Sequence, residues 1–200
     1  MDSLSEMQGV EQTETRKIEK RRSFKTFEEA EPFYFNAMQW LLDVNGWTAL
    51  TGASGGTYHL FTALGLPKLT SVEEYDFIRY SRLNLRGEPE GEQWYRVERI
   101  ITKMHGHDRS IALLLRPTNV TRRGTAITYS FVTEEHHTLI LQLNHTEVIA
   151  GMYTKDTERA QTNISSGTGV YSKIRHALRD VFAWTSKKNE WDVFITSIIQ

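Results

Sequence analysis

The chain has 200 residues, with Lys+Arg 24 against Asp+Glu 25, 39% hydrophobic residues and no cysteine. That length supports one substantial core, and the near-neutral balance provides no global field to draw nucleic acid or an anionic membrane. Absence of cysteine excludes disulfides, thiolate nucleophiles, thiol-ligated zinc and iron–sulfur clusters.

No run approaches the roughly 20 apolar residues of a membrane span. The start, Met1 to Glu6, lacks the basic and apolar regions of a signal peptide. Cytoplasmic localisation is therefore expected, and the N-x-[ST] triplets at Asn119, Asn144 and Asn163 read as accidental. Residues 1–22 are nearly devoid of apolar side chains, acidic first and basic from Arg16 to Arg22, and predict a flexible charged tail ahead of a single domain spanning 23–200.

Thr26-Phe27-Glu28-Glu29 fits a capping box, and Pro32 fits a first helical turn. A helix carrying Phe33, Ala37, Trp40 and Leu41 on one face follows, ended by Asn45-Gly46. After the glycine-rich stretch Gly52 to Gly56, Tyr58 to Leu64 predicts a short helix. From Asp76 the period becomes two, and strands are predicted through Phe77–Leu85, Tyr95–Ile101, Ile111–Leu115, Ile127–Phe131, Leu139–Leu143 and Val148–Tyr153. His105 to Asp108 and Asn144-His145 are turn candidates, and Pro117 to Gly124 reads as a loop. Short polar connections require antiparallel neighbours. A helix is predicted over Val170 to Phe182, then a closing strand with Trp191, Val193 and Ile195 on one face.

The expected architecture is α+β: a single twisted antiparallel sheet, a meander of five to seven strands, packed by an N-terminal helical segment and a C-terminal helix. The layout is similar in outline to helix-grip and cone-shaped sheets in general, and no motif is specific enough to carry a family's residues across.

Chemistry could reside in few places. Gly52-Ala53-Ser54-Gly55-Gly56 matches G-x-S-x-G, which would make Ser54 a hydrolase nucleophile on a strand-to-helix turn of a parallel sheet. The antiparallel pattern downstream removes that scaffold, and no catalytic residue is assigned. The amides of Ser54, Gly55, Gly56 and Thr57, at a helix N-terminus, could instead hold an anion. Lys173 and Arg175 could add charge from the second glycine-rich segment, and Trp47 and Tyr58, with Trp40, Tyr129 and Phe131, could line a pocket between sheet and helices. His136 and His137 would point to opposite faces of a strand, H-x-x-x-H spacing is absent, and neither metal nor cofactor is expected. Paired carboxylates read as solubility and capping, and Arg116, Arg122 and Arg123 as a solvated surface.

The leading expectation is a non-catalytic cytosolic binding or assembly domain that engages a protein partner or self-associates, on the strength of abundant Trp, Tyr and Phe. A small anionic-ligand domain is the alternative, and a serine hydrolase using Ser54 the third. Neither nucleic acid nor membrane is expected as a partner.

Overall fold

Residues 15–52, 56–83, 89–123, 126–131, 135–155 and 190–200 are described by the computed structural model. Their class is α+β, built on one antiparallel sheet of eight strands, more than the five to seven expected. The strands are β1 (Thr15–Ser23), β2 (Thr57–Phe61), β3 (Phe77–Leu83), β4 (Pro89–His105), β5 (Asp108–Arg123), β6 (Ala126–Phe131), β7 (His136–Asn144) and β8 (Glu147–Lys155). Their order is β1-β8-β7-β5-β4-β3-β2, with β6 paired to β5. From β3 to β5 and from β7 to β8 the expected meander holds, but β7 pairs with β5 rather than with β6, so the meander is interrupted there. Its tight turns fall at Gly106 (φ 58°) and His145 (φ 54°), within the two stretches marked as turns.

Part of the predicted tail supplies one of the two strands that were not expected. Residues 15–23 pair one for one with β8, from Thr15↔Lys155 to Ser23↔Glu147. Among the described side chains of this strand only Ile18 enters the core, so the segment looks too polar to fold when read alone. Its charges are answered locally: Lys17 to Glu19 at 2.6 Å, Arg21 to Glu19 at 2.7 Å and Arg21 to Glu147 at 3.4 Å. Burial by itself would raise the Glu19 carboxyl. Hydrogen bonds from Lys17, Tyr153 and Arg21 outweigh it and hold the group at about 2. A charged edge strand also resists pairing with other chains.

Two further expectations are corrected within the sheet. Tyr58 to Leu64 begins as strand β2 rather than a helix, because Tyr58 and Leu60 both enter the core across from Tyr80 and Ile78. The expected loop at Pro117 lies inside β5, which runs to Arg123. Proline has no N–H for a ladder. It is tolerated here because β5 changes partner around it: pairing with β7 ends at Leu115↔His137 and pairing with β6 begins at Thr118↔Phe131.

Helix α1 (Phe27–Leu42) begins as its cap predicts: Thr26 Oγ1 accepts from the Glu29 amide at 3.3 Å. Glu29 reaches back to the Lys25 amide, at 3.1 Å. Pro32 stands in the second turn, deeper than expected, and leaves the Glu28 carbonyl without its helical donor. The buried stripe is Ala30, Tyr34, Ala37 and Leu41, so Trp40 faces outward, at 37% exposed. The helix ends at Leu42, before the predicted Asn45-Gly46 stop. Asn45 instead ties this end to the sheet, accepting from the Leu60 amide (3.1 Å) and donating to the Lys68 carbonyl (2.9 Å). A 3-10 turn, Val44–Gly46, leads into the short helix α2 (Trp47–Thr51).

Residues 190–199 form helix α3, where a strand was expected. The stripe Trp191, Phe194, Ile195, Ile198 and Ile199 is buried and has helical period, whereas Val193, essential to the strand reading, is only half-buried. The helix predicted over Val170 to Phe182 lies outside the described residues. All three helices contribute to the core on the inner face of the sheet. Its centre is Trp47, with ring contacts to Phe194 at 4.5 Å and Tyr58 at 5.4 Å, and each such buried side chain contributes about 1.5–3 kcal/mol.

Candidate functional site

Trp47 and Tyr58, expected as pocket walls, are at 0% and 3% exposure, and fill the space between sheet and helices together with Trp191 and Phe194. Tyr129 and Phe131 stand on the opposite face of the sheet. No helix starts at Thr57, so the helix dipole invoked for an anion there is absent. Thr57 donates to the Ser81 carbonyl at 3.5 Å within the β2–β3 pair. Gly56 (φ +74°) serves close packing: a Cβ there would lie 2.6 Å from the Tyr80 ring and 2.7 Å from the Ser81 carbonyl. Ser54, Gly55, Lys173 and Arg175 lie outside the described residues.

The outer face of the sheet carries a different constellation. Directly opposed residues of antiparallel strands share a face, so the register places His59, Arg79, Trp94, Thr118 and Phe131 in one row across β2 to β6. The next row is Phe61, Phe77, Arg96 and Arg116. Guanidinium groups and rings interleave between the rows. Arg79 lies 5.4 Å from the Phe61 ring and 5.9 Å from Trp94, and Arg116 lies 3.7 Å from Phe131. Arg96 sits between Tyr75 and Tyr129, at 4.9 and 5.0 Å. Such cation–π contacts each stabilise by about 0.5–1 kcal/mol where exposed and more where water is excluded.

Tyr75 reaches this position at a backbone cost. Its φ is 74°, the left-handed region that a bulky side chain rarely occupies. Its amide donates to the Val97 carbonyl at 2.7 Å, and the Val97 amide donates to the Asp76 carbonyl at 2.9 Å, clamping the turn onto β4. β4 carries a register shift between Val97 and Arg99, and Glu98 within it accepts from Arg96 at 3.0 Å.

Tyr129 of β6 touches Phe77 of β3, with ring centroids 5.2 Å apart. In a flat sheet these strands would stand three spacings apart, roughly 14 Å. The outer part of the β5–β6 hairpin therefore bends over the outer face as an arm. It covers Phe77, which is 1% exposed, while Tyr75, Tyr129 and Phe131 stay 50%, 43% and 38% exposed.

Where β5 leaves β4, the sheet opens into a cleft of about 750 Å³ lined by residues 92–95, 117–121 and 130. On its outer side stand Trp94 and Val120, and on its inner side Gln93, Asn119, Thr121 and Ser130. At its throat the Thr118 hydroxyl is buried and has no hydrogen-bond partner among the described residues. A buried hydroxyl left so costs about 1–3 kcal/mol.

Behind the cleft, the inner face is polar. Tyr95 donates to Gln93 Oε1 at 2.8 Å, and its ring lies 5.9 Å from Trp191 and 5.6 Å from His137. His137 Nδ1 is 2.9 Å from Thr154 Oγ1, and its Nε2 is 3.9 Å from Glu135. Burial, reinforced by Glu190 and Glu135, pushes the Tyr95 hydroxyl far above its ordinary range, and burial with Glu190 does the same at Tyr80. These phenols remain protonated donors. His136 and His137 do point to opposite faces, and among the described residues no group of His, Asp and Glu could hold a metal. Among the described residues no helix is long and apolar enough to cross a membrane.

Sequence reasoning noted Tyr129, Phe131 and Arg116 separately but did not assemble the outer face. The available signal was alternation: Phe77/Arg79, Trp94/Arg96 and Arg116/Thr118 occupy same-face positions on successive strands. No protein-family model and no curated protein matches the sequence. Among solved structures, the ginseng major latex-like protein 151 of Panax ginseng aligns with TM-score 0.34 and 10% identity, over 84% of this chain and 96% of that one. A Staphylococcus aureus protein of unknown function aligns with TM-score 0.32 and 11% identity, over 92% of this chain and 94% of that one. Neither likeness is close enough to assign a fold family or a role.

Proposed function

We propose that this chain is a non-catalytic binding domain that engages a protein partner through the arm and outer face of its sheet. The observation that carries the reading is the set of guanidinium–ring stacks of Arg79, Arg96 and Arg116, rimmed by the exposed rings of Tyr75, Tyr129 and Phe131. Trp, Tyr and Arg are the side chains that concentrate binding energy in protein interfaces, since they combine a large apolar area with a directional polar group. Here they are held rigidly by one another, which lowers the ordering cost of association. Absence of cysteine suits a reducing compartment, and cytoplasmic localisation is part of the same proposal.

The test is affinity capture from the native host with the full chain and with Tyr75→Ala/Tyr129→Ala, both checked for folding by circular dichroism. A partner captured by the parent chain is expected to be depleted at least tenfold with the variant. Equal capture by the two would refute the outer face as the binding surface.

A further inference from the structure

The connection from β2 to β3 is pinned along its length. The Thr62 amide donates to the Leu66 carbonyl at 2.8 Å, the Gly65 amide to the Thr62 carbonyl at 2.7 Å, and the Leu66 amide to Thr62 Oγ1 at 3.1 Å. Beyond these, the Lys68 amide donates to the Leu60 carbonyl, the Lys68 carbonyl accepts from Asn45, and the Val72 amide donates to the Leu42 carbonyl at the end of α1. Lys68 Nζ lies 2.7 Å from both Glu73 and Asp76, which ties this stretch to the turn bearing Tyr75. Yet Leu64, Leu66 and Leu69 are 75%, 57% and 90% exposed, and Ala63 and Pro67 are exposed beside them. Of the apolar side chains between Thr62 and Asp76, Val72 alone joins the core. The connection is a rigid prong that spends three leucines on solvent.

The outward surface of the prong carries no charge. Lys68 is the one ionisable residue from Thr62 to Val72, and its side chain is turned inward at 10% exposure. A charged group brought against that surface would lose its water and meet no counter-charge. The prong by itself is far smaller than the roughly 800 Å² that each side of a stable interface buries, so it is one end of a larger contact. Tyr75, half exposed in the same connection, joins it to the outer face, where its ring meets Arg96.

Resting on the reading that this domain engages a protein partner through that face, we propose that the interface continues over the leucine prong, and that the partner presents there an apolar pocket free of charged groups. Leu64 and Leu69 fill the pocket, and because the prong is already held in shape its docking costs little ordering entropy. A bilayer is the poorer occupant. Lys68, the cation that could reach a lipid phosphate, is committed to Asp76. At the root of the prong Glu73 and Glu74 stay exposed, with exposed Arg99 beside the Ile100 amide that Glu74 accepts from, which leaves no excess of positive charge for anionic headgroups.

The full chain is prepared with the photo-crosslinker p-benzoylphenylalanine in place of Leu69, on the prong, or of His59, on the outer row, and irradiated in extract of the native host. The same protein is expected to be crosslinked from both positions. Titrated as a purified protein, it should lose about tenfold or more in affinity for Leu64→Asp/Leu69→Asp and for Leu64→Lys/Leu69→Lys alike, and stay within about threefold for Leu64→Met/Leu69→Met. Circular dichroism confirms that each variant is folded. A smaller loss from either charge would overturn the proposal, because it would place a counter-charge in the pocket or leave the leucines outside it. So would pelleting with phosphatidylcholine vesicles that the aspartate variant abolishes, which would assign the prong to a membrane. A dimer of the parent chain that the aspartate variant dissociates would assign it to a second copy and overturn the proposal equally. A partner crosslinked from His59 and lost with Tyr75→Ala/Tyr129→Ala, but not crosslinked from Leu69, would leave the outer-face reading standing and remove the prong. A partner indifferent to the tyrosine and the leucine variants would remove both.

Discussion

The arm makes the sharpest test of how this sheet is built. Tyr129 joins it to the outer face through a ring contact with Phe77, at 5.2 Å, and through Arg96 at 5.0 Å. An aromatic pair contributes roughly 0.5–1.5 kcal/mol and an exposed cation–π contact roughly 0.5–1. With the ring 43% exposed, the low end of that sum applies, and Tyr129→Ala should weaken closure of the arm by about 1 kcal/mol. Every 1.4 kcal/mol is tenfold, so the opening equilibrium of the arm rises roughly fivefold. Native-state amide exchange reads this directly, because the arm amides of 118–123 and 126–131 exchange by local opening rather than by global unfolding. They should exchange roughly fivefold faster in the variant, whereas amides of β7 and β8 change only by the loss of global stability. Tyr129→Phe, which keeps the ring, should leave the arm at close to the parent's rate. Acceleration below threefold, or equal acceleration in β7 and β8, would refute the arm as a separately opening unit latched by this ring.

Other consequences follow from the core and the edge strand. Phe194→Ala empties a fully buried site against Trp47 and should cost about 3–5 kcal/mol, lowering the thermal midpoint by roughly 6–20 °C. Half-buried Val193→Ala should cost far less, and a similar loss from both in a thermal melt would contradict the packing of α3. Gly56→Ala and Gly52→Ala both place a side chain at positive φ, but only the former meets atoms within 3 Å. Denaturant titration should therefore show Gly52→Ala losing about 1–2 kcal/mol and Gly56→Ala markedly more. The Glu19 carboxyl, held at about 2 against an ordinary 4.5, gives a stabilisation that is complete above pH 4.5 and lost as pH falls through 2. Thermal midpoints measured across that window should fall less steeply in Glu19→Gln than in the parent. An identical slope would exclude this carboxyl as a source of acid sensitivity.

The local pattern carried most of the sheet. Phe77, Trp94, Tyr129 and Leu139 lie in runs of period two and Ile111 opens a continuous apolar run, and such runs with short polar connections leave an antiparallel meander as the simplest outcome. Thr26 and the turn at Asn144-His145 were legible for the same reason, since their bonds are made within a few residues. The failures involve partners distant in sequence. Residues 15–23 become a strand because β8 offers nine partners more than 120 positions away, and a segment with one core residue gives no sign of that by itself. At the C-terminus, Trp191 and Ile195 share a face in a helix and in a strand alike, and packing of Trp191 and Phe194 on Trp47 selects the helix.

The candidate site divides in the same way. Composition alone established that the chain is rich in Trp, Tyr and Phe, near neutral and without thiol chemistry, and alternation placed Phe77 with Arg79, and Trp94 with Arg96, on one face of their own strands. Only the tertiary structure decided which face they share, that Pro117 marks a change of ladder partner, and that the β5–β6 arm folds over and opens the cleft. The physical reason is that strand register and sheet curvature are settled by contacts summed across the whole sheet, whereas periodicity is a property of each strand.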